Sequence, residues 1–146
     1  MWKRTPRELV TDELGTLTYD GSCWRGQPDG SVVPIVLWSG RSGPDDRMVR
    51  VTASAVARLP EFEASARRYV GGLSLPDTRM GKLSAVAVRR PDPEWVRRVL
   101  APRNQPSADA ILSGEPTVTL EFEIVGERNV LDVAFVGDTP VDSDAH

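Results

Sequence analysis

The sequence predicts an α+β domain: a mainly antiparallel sheet of about six or seven strands, with one longer, kinked helix and one short helix packed on it. Two observations carry this prediction. Apolar and polar residues alternate at both ends of the chain in segments separated by turn residues, which is typical of half-buried strands joined by tight reversals. Between them, apolar residues recur at helical spacing. Strands and helices arranged in this way favour helices packed on one antiparallel sheet.

An N-terminal β-meander is predicted between residues 14 and 38. Leu17 and Tyr19 fall on one face of its first strand, and threonines fall on the other. The dipeptides Asp20-Gly21 and Asp29-Gly30 mark tight turns, because glycine accepts the backbone angles that such turns need. A short strand at 23–27 and an apolar strand at 32–38 complete the meander.

The segment after the meander is predicted to hold another strand and then the longer helix. Residues 47–51 alternate between apolar and polar side chains, which indicates a strand. Thr52 or Ser54 is expected to cap the following helix, because a hydroxyl oxygen accepts a hydrogen bond from an unpaired backbone N–H.

The longer helix is predicted to run to about Val70. Pro60 interrupts it and should produce a kink or a restart, since proline fits only the first turn of a helix. Gly71-Gly72 should end it with a left-handed cap. A single apolar stripe at spacings of three and four is formed by Val56, Leu59, Phe62, Ala66, Tyr69, Val70 and Leu73.

The C-terminal half is predicted to contain a strand, a short helix and a hairpin. The strand occupies 83–90, and Asp92 with Pro93 supplies a cap and a first-turn proline for the short helix. Residues 117–125 and 130–136 alternate cleanly around a Gly-containing turn, which predicts a β-hairpin whose apolar residues point inward: Val118, Leu120, Phe122 and Ile124 on the first strand, and Leu131, Val133 and Phe135 on the second. Residues 1–13 are interpreted as a lead-in, 14–137 as one domain, and 138–146 as an acidic tail that we expect to be frayed.

Composition limits the classes of protein that are expected. The chain has 146 residues, enough for one domain with its own core. Its single cysteine, Cys23, excludes an internal disulfide and suits a reducing compartment. Neither a secretory signal nor an apolar run long enough to cross a bilayer is present in the sequence. We therefore expect a cytoplasmic protein with no membrane contact.

The residue types argue against an enzyme. The only histidine is His146, so nucleophilic catalysis that needs an imidazole beside a serine or cysteine is disfavoured. Zinc sites built from Cys and His are excluded by count, and no glycine-rich phosphate motif occurs. Glu121 and Glu123 are expected on the solvent side of their strand. Asp142, Asp144 and His146 alternate as metal ligands can, but they fall in the tail expected to be frayed. We expect no metal and no cofactor.

Charge is unevenly distributed along the chain. Residues 51–105 carry 10 basic and 5 acidic side chains, whereas residues 106–146 carry 1 and 9. The two segments either form a binding face or lie side by side and neutralise each other. The arginine cluster, with Trp95 nearby, suggests a nucleic-acid-binding module as the alternative function. It consists of Arg89, Arg90, Arg97, Arg98 and Arg103.

Trp24 and Arg25 are the remaining candidate binding residues. Trp24 and Trp38 can line a groove, although the core is the commoner place for tryptophan in a strand-rich protein.

The opening of the domain resembles a family of small proteins. Leu14-Gly-Thr-Leu-Thr-Tyr-Asp20 followed by Trp24-Arg-Gly26 is similar to the first strands of uncharacterised bacterial cytoplasmic domains of the immunity-protein-like type, and residues 59–69 resemble the helix that follows them. The resemblance covers residues 14–73 and supplies no functional residue. It implies a non-enzymatic protein-interaction module that binds a protein partner, which is the function we expect.

Overall fold

The computed structural model describes residues 7–73, 80–90, 92–100 and 115–146, and these residues form one eight-stranded sheet with three helices. The strands are β1 (Arg7–Thr11), β2 (Gly15–Tyr19), β3 (Trp24–Gly26), β4 (Ile35–Trp38), β5 (Met80–Arg89), β6 (Thr117–Ile124), β7 (Val130–Val136) and β8 (Thr139–Ala145). The helices are α1 (Asp46–Ala57), α2 (Leu59–Gly72) and α3 (Pro93–Trp95), and α3 continues into a π-helical turn, Val96–Leu100. We call Pro93–Leu100 the α3–π segment.

The strands lie in the sheet in chain order. Every neighbouring pair is antiparallel except β4 and β5, which are parallel. Parallel neighbours need a long crossover connection, and α1 and α2 lie in the connection between these two strands. The predicted α+β class with a mainly antiparallel sheet is confirmed, whereas the predicted strand count of six or seven is too low.

The main core lies between α1, α2 and one face of the sheet. Alternate residues of β6 and β7 point into it, and Leu120, Phe122, Val133 and Phe135 have no exposed surface. The Phe135 ring lies 4.9 Å, between centroids, from the ring of Phe62 on α2. The hairpin and the inward direction of its apolar residues are therefore confirmed. We call the opposite side of the sheet the groove face.

The predicted strand at 47–51 is wrong, because these residues belong to α1. Asp45 is the cap instead of Thr52 or Ser54: its Oδ1 accepts a 2.9 Å hydrogen bond from the backbone N–H of Met48. Thr52 is buried and its hydroxyl donates to the Met48 carbonyl at 2.7 Å. Five residues fit an amphipathic helix as well as a strand, and burial along one helical face decides between them.

The restart at Pro60 is confirmed, because α1 ends at Ala57 and α2 begins at Leu59 with the proline in its first turn. The left-handed cap predicted at Gly71-Gly72 is wrong. Both glycines lie inside α2, whose last residue is Gly72 and whose C-cap, Leu73, has a right-handed φ of −82°. Leu73 is 40% exposed, so it lies outside the predicted apolar stripe. The stripe's other members are buried or packed against the core.

Both ends of the described chain contain a strand outside the range predicted for the domain. The expected frayed tail, 138–146, contains β8, and the backbone of His146 exchanges two 2.9 Å hydrogen bonds with Val130. β8 supplies hydrogen-bond partners for the edge of β7. The polar composition of residues 138–146 does not predict this pairing. At the other end, β1 begins at Arg7, inside the predicted lead-in.

Candidate functional site

A groove of about 590 Å³ lies on the groove face of the sheet, beside the α3–π segment. Its described lining comes from the end of β5, from β6, β7 and β8, and from the α3–π segment with its cap. The lining residues are Arg89, Asp92, Trp95, Arg98, Val99, Thr117, Thr119, Asp132, Ala134, Asp142, Ser143 and Asp144.

Strand register brings acidic side chains together at one end of this groove. Glu121 of β6 lies directly opposite Asp132 of β7, which lies directly opposite Asp144 of β8. One pleat further along, Ala134 lies opposite Asp142. Since paired residues in a sheet point to the same face, Glu121, Asp132 and Asp144 form one row, which we call the carboxylate row.

His146 contacts the carboxylate row. Its Nε2 lies 2.7 Å from Oδ2 of Asp132, whose Oδ1 is buried and has no hydrogen-bond partner among the described residues. The hydrogen bond to Asp132 raises the pKa of His146. Burial raises the pKa of Glu121, and the negative charge of Asp132 adds to this effect.

The α3–π segment forms the wall of the groove and is held there by a small apolar cluster. Val96 packs with Val141 of β8, and Trp95, Val99 and Val136 pack against this pair. The indole Nε1 of Trp95 also donates a 3.2 Å hydrogen bond to Oδ2 of Asp142. The predicted cap of this helix is confirmed, because Asp92 Oδ1 accepts from the backbone N–H of Glu94 at 2.8 Å.

The groove carries more negative than positive charge. Four of its lining side chains are aspartates and two are arginines. Arg89 lies at the edge, with its guanidinium carbon 5.4 Å from the ring centroid of Trp38. The basic segment 51–105 and the acidic segment 106–146 therefore meet along this groove, and they also meet where Arg58 lies 3.7 Å from Asp138.

The predicted arginine cluster does not form one surface in the described residues. Arg89 and Arg98 line the groove, whereas Arg90 forms an ion pair with Asp45 at the start of α1. Arg97 is exposed and lies outside the groove lining. Arg103 lies outside the described residues.

Trp24, one of the candidate binding residues, is instead 1% exposed and belongs to the main core, the commoner place for tryptophan in a strand-rich protein. Its Nε1 donates to the Gly40 carbonyl at 2.9 Å. Trp38, for which the core was the expected place, is 40% exposed. Arg25 is exposed on the groove face and lies 2.7 Å from Asp20. This contact, with backbone N–H donors of the turn, lowers the pKa of Asp20.

Cys23 packs against β4 and β5 of the sheet. It is fully buried and clusters with Val36 and Ala87. Burial raises the pKa of its thiol, which favours the protonated, unreactive form.

A metal-binding cluster and a membrane-spanning helix are both absent from the described ranges. Among these residues no group of three His, Cys, Asp or Glu side chains could hold a metal ion, and no helix there is long and apolar enough to cross a membrane.

The carboxylate row is not among the features predicted from the sequence, although the sequence contains a signal for it. The alternation of Asp142, Asp144 and His146 has the spacing of metal ligands and equally the period of a strand. As a strand beside β7, this segment places Asp144 against Asp132 and brings His146 within reach of it.

Comparisons with known proteins give no relative for this chain. No protein-family model matches it, and neither a curated protein nor a solved structure matches it.

Proposed function

We propose that this chain is a non-enzymatic protein-interaction module, of the kind that immunity proteins represent, and that it binds and masks a protein partner through the groove. The observation that carries the proposal is the mixed lining of this 590 Å³ groove. An indole, two arginines, four aspartates and small side chains occur side by side there. Tryptophan and arginine are the residues that most often anchor protein–protein contacts.

The position of the groove on the sheet supports a binding role. Its floor is built on three strands that are hydrogen-bonded to one another, β6, β7 and β8. Its wall is fixed by Val96, which is 1% exposed, and by the bond from Trp95 to Asp142. Side chains on such supported elements keep their positions, so that a partner meets a preorganised surface.

The charge of the groove disfavours the alternative of nucleic-acid binding. A phosphate backbone is attracted by arginine and lysine and repelled by carboxylates. Of the described arginines in the predicted cluster, only Arg89 and Arg98 line the groove, and they face four aspartates there. A protein partner with charges of its own suits this lining better.

Site-specific photo-cross-linking in the native host tests the proposal. A cross-linking amino acid replaces Arg98 or Thr119 at the groove, or Arg50 or Ser54 on exposed positions of α1 as matched controls. We expect one protein adduct from the two groove positions and none from α1. Adducts of equal yield from both surfaces, or nucleic-acid adducts alone, would overturn the proposal.

The adduct protein is then purified and tested directly. We expect it to bind the full chain in a defined complex, and Ala134→Trp, which fills the groove, to weaken binding by at least about tenfold. Circular dichroism would check that this variant is folded. If a folded Ala134→Trp chain binds as tightly as the parent, the groove is not the contact surface.

A further inference from the structure

We propose that the groove receives a basic segment of the partner protein, and that a lysine or arginine side chain of this segment lies over the carboxylate row and replaces His146 as the partner of Asp132. This inference rests on the proposed function and names the chemistry of the partner. It is carried by the register of β6, β7 and β8, by the hydrogen bonding of Asp132 and by the excess of negative charge in the groove.

The first argument is charge complementarity. Glu121, Asp132 and Asp144 lie directly opposite one another on neighbouring strands. Like charges in directly opposed positions destabilise a sheet. His146 is the one positive group in ion-pair contact with this row among the described residues, and the groove as a whole holds two aspartates more than arginines. A cation from a partner lowers the electrostatic energy of this surface.

The second argument is the incomplete hydrogen bonding of Asp132. His146 reaches only Oδ2, at 2.7 Å, and Oδ1 is buried without a partner in the described part of the molecule. A guanidinium carries five N–H donors in a planar fork and an ammonium carries three. Once His146 is displaced, either can donate to Oδ2 of Asp132, the oxygen that His146 contacts, and to a second carboxylate of the row at once, which an imidazolium bound through one nitrogen does not do.

The third argument is the apolar wall beside the carboxylates. Trp95 and Val99 line the same groove as Asp132 and Asp144 and are partly exposed. Lysine and arginine bury their methylene stems along such apolar side chains while the charged end reaches a carboxylate. An extended basic segment can therefore use both parts of the groove.

Competition with His146 makes the binding of a basic segment dependent on pH. The charged groups facing His146 are Asp132, Asp144 and Glu121, and Arg25 of β3 acts on Glu121. As the pH rises through the raised pKa of His146, the imidazolium loses its positive charge, and its hydrogen bond to Asp132 weakens relative to one from a cationic side chain of the partner. Glu121 also becomes more fully ionised as the pH rises. Both changes strengthen the attraction for a basic segment.

The test uses the full chain labelled with ¹⁵N and a short Gly/Ser peptide that carries two arginines. The control peptide carries two citrullines, which have nearly the same shape and no charge. We expect the arginine peptide to shift the NMR signals of the Trp95 indole, Asp132 and Ala134, and the citrulline peptide to leave them unchanged. We also expect the affinity to rise severalfold between about pH 6 and about pH 8.5.

Two variants make the test specific for the carboxylate row. Asp132→Asn is expected to weaken arginine-peptide binding about fivefold, the size of one partly exposed ion pair. His146→Gln is expected to remove most of the pH dependence. Asp29→Asn, on an exposed turn distant in sequence from the groove strands, is the matched charge control and should bind as the parent does.

Equal shifts with the arginine and citrulline peptides would overturn the inference, as would equal weakening by Asp132→Asn and Asp29→Asn. The cross-linked partner separates this inference from the proposed function. A protein adduct at Arg98 or Thr119 whose contacting segment is neutral or acidic overturns the basic partner and leaves the interaction module standing. Peptide binding without any protein adduct at these positions overturns the interaction module and the basic partner segment with it.

Discussion

The two faces of the sheet are built from the same strands, but apolar side chains packed on α1 and α2 form one face, whereas polar side chains beside the groove form the other. On β6, Leu120 and Phe122 have no exposed surface and pack toward α1 and α2, whereas Glu121 between them points to the groove face. On β7, Val133 and Phe135 alternate with Asp132 and Ala134 in the same way. The helix-covered face is determined by burial along each strand, and the groove face is determined by which residues the register sets side by side.

This difference has an energetic consequence. Apolar burial stabilises the helix-covered face in proportion to the area removed from water. On the groove face, the carboxylate row sets like charges opposite one another and leaves Oδ1 of Asp132 without a partner in the described residues. Proteins depart from local rules of stability mainly at functional sites. Substitutions on the two faces should therefore differ in their effect on the free energy of unfolding.

Phe122→Ala should cause the largest loss of stability, about 3–5 kcal/mol in the free energy of unfolding. Its ring has no exposed surface, and the Arg67 guanidinium lies 5.1 Å from its centroid. Thr119→Ala, on the groove face of the same strand, is the control and should cost less than about 1 kcal/mol. Denaturant titration measures both. Equal losses would show that the two faces contribute alike to the core.

Asp45→Ala should cost about 1–2 kcal/mol, because it removes the N-cap of α1. Its Oδ1 accepts from Met48, and Arg90 pairs with its other oxygen. Asp46→Ala, in the first turn of the same helix, is the control. The hydrogen bond from Met48 lowers the pKa of Asp45 below 3.8. The contribution of the cap is therefore present above this pH and is lost as the pH falls through the lowered pKa. Urea titrations of the parent and both variants at neutral and acidic pH check the expectation.

The helix-covered face could be predicted from the sequence, because alternation along one strand contains the information. Val118, Leu120, Phe122 and Ile124 were predicted to point inward, and all of them are buried. The same rule failed at 47–51, where a short alternating pattern is also one side of a helix. Alternation predicts no strand at 139–145, because the polar residues there present no apolar face.

The candidate site could be predicted only in part, because it depends on contacts between distant segments. Arg89 and Arg98 were predicted as binding residues and do line the groove. Arg90 follows Arg89 directly in the chain, yet it pairs with Asp45, the N-cap of α1. Glu121, Asp132 and Asp144 come from three strands, and only the register of β7 with β8 brings the last of them into the row.

Glu121→Gln should increase stability at neutral pH by about 0.5 kcal/mol, because it removes one of the facing charges. Burial and Asp132 raise the pKa of Glu121 above 4.5. A raised carboxyl pKa means that the ionised form costs stability as the pH rises above 4.5, and that the cost disappears as the pH falls and Glu121 is protonated. The difference between variant and parent should shrink in acid. Glu123→Gln, exposed on the same strand, is the control in thermal unfolding, and an equal gain from it would remove the special role of the row.

His146→Gln should have the smallest effect on stability, below about 0.5 kcal/mol, because the side chain is 56% exposed. The hydrogen bond to Asp132 raises the pKa of His146 above 6.5. Its contribution is therefore fully present below pH 6.5 and is lost as the pH rises through the raised folded-state pKa. Binding of an arginine peptide should change in the opposite direction, since the same deprotonation removes the charge with which His146 competes for Asp132. The chain has one histidine, so NMR titration of its ring signals reports this group alone. If stability and affinity rise together between about pH 6 and about pH 8.5, His146 and the peptide do not compete for Asp132.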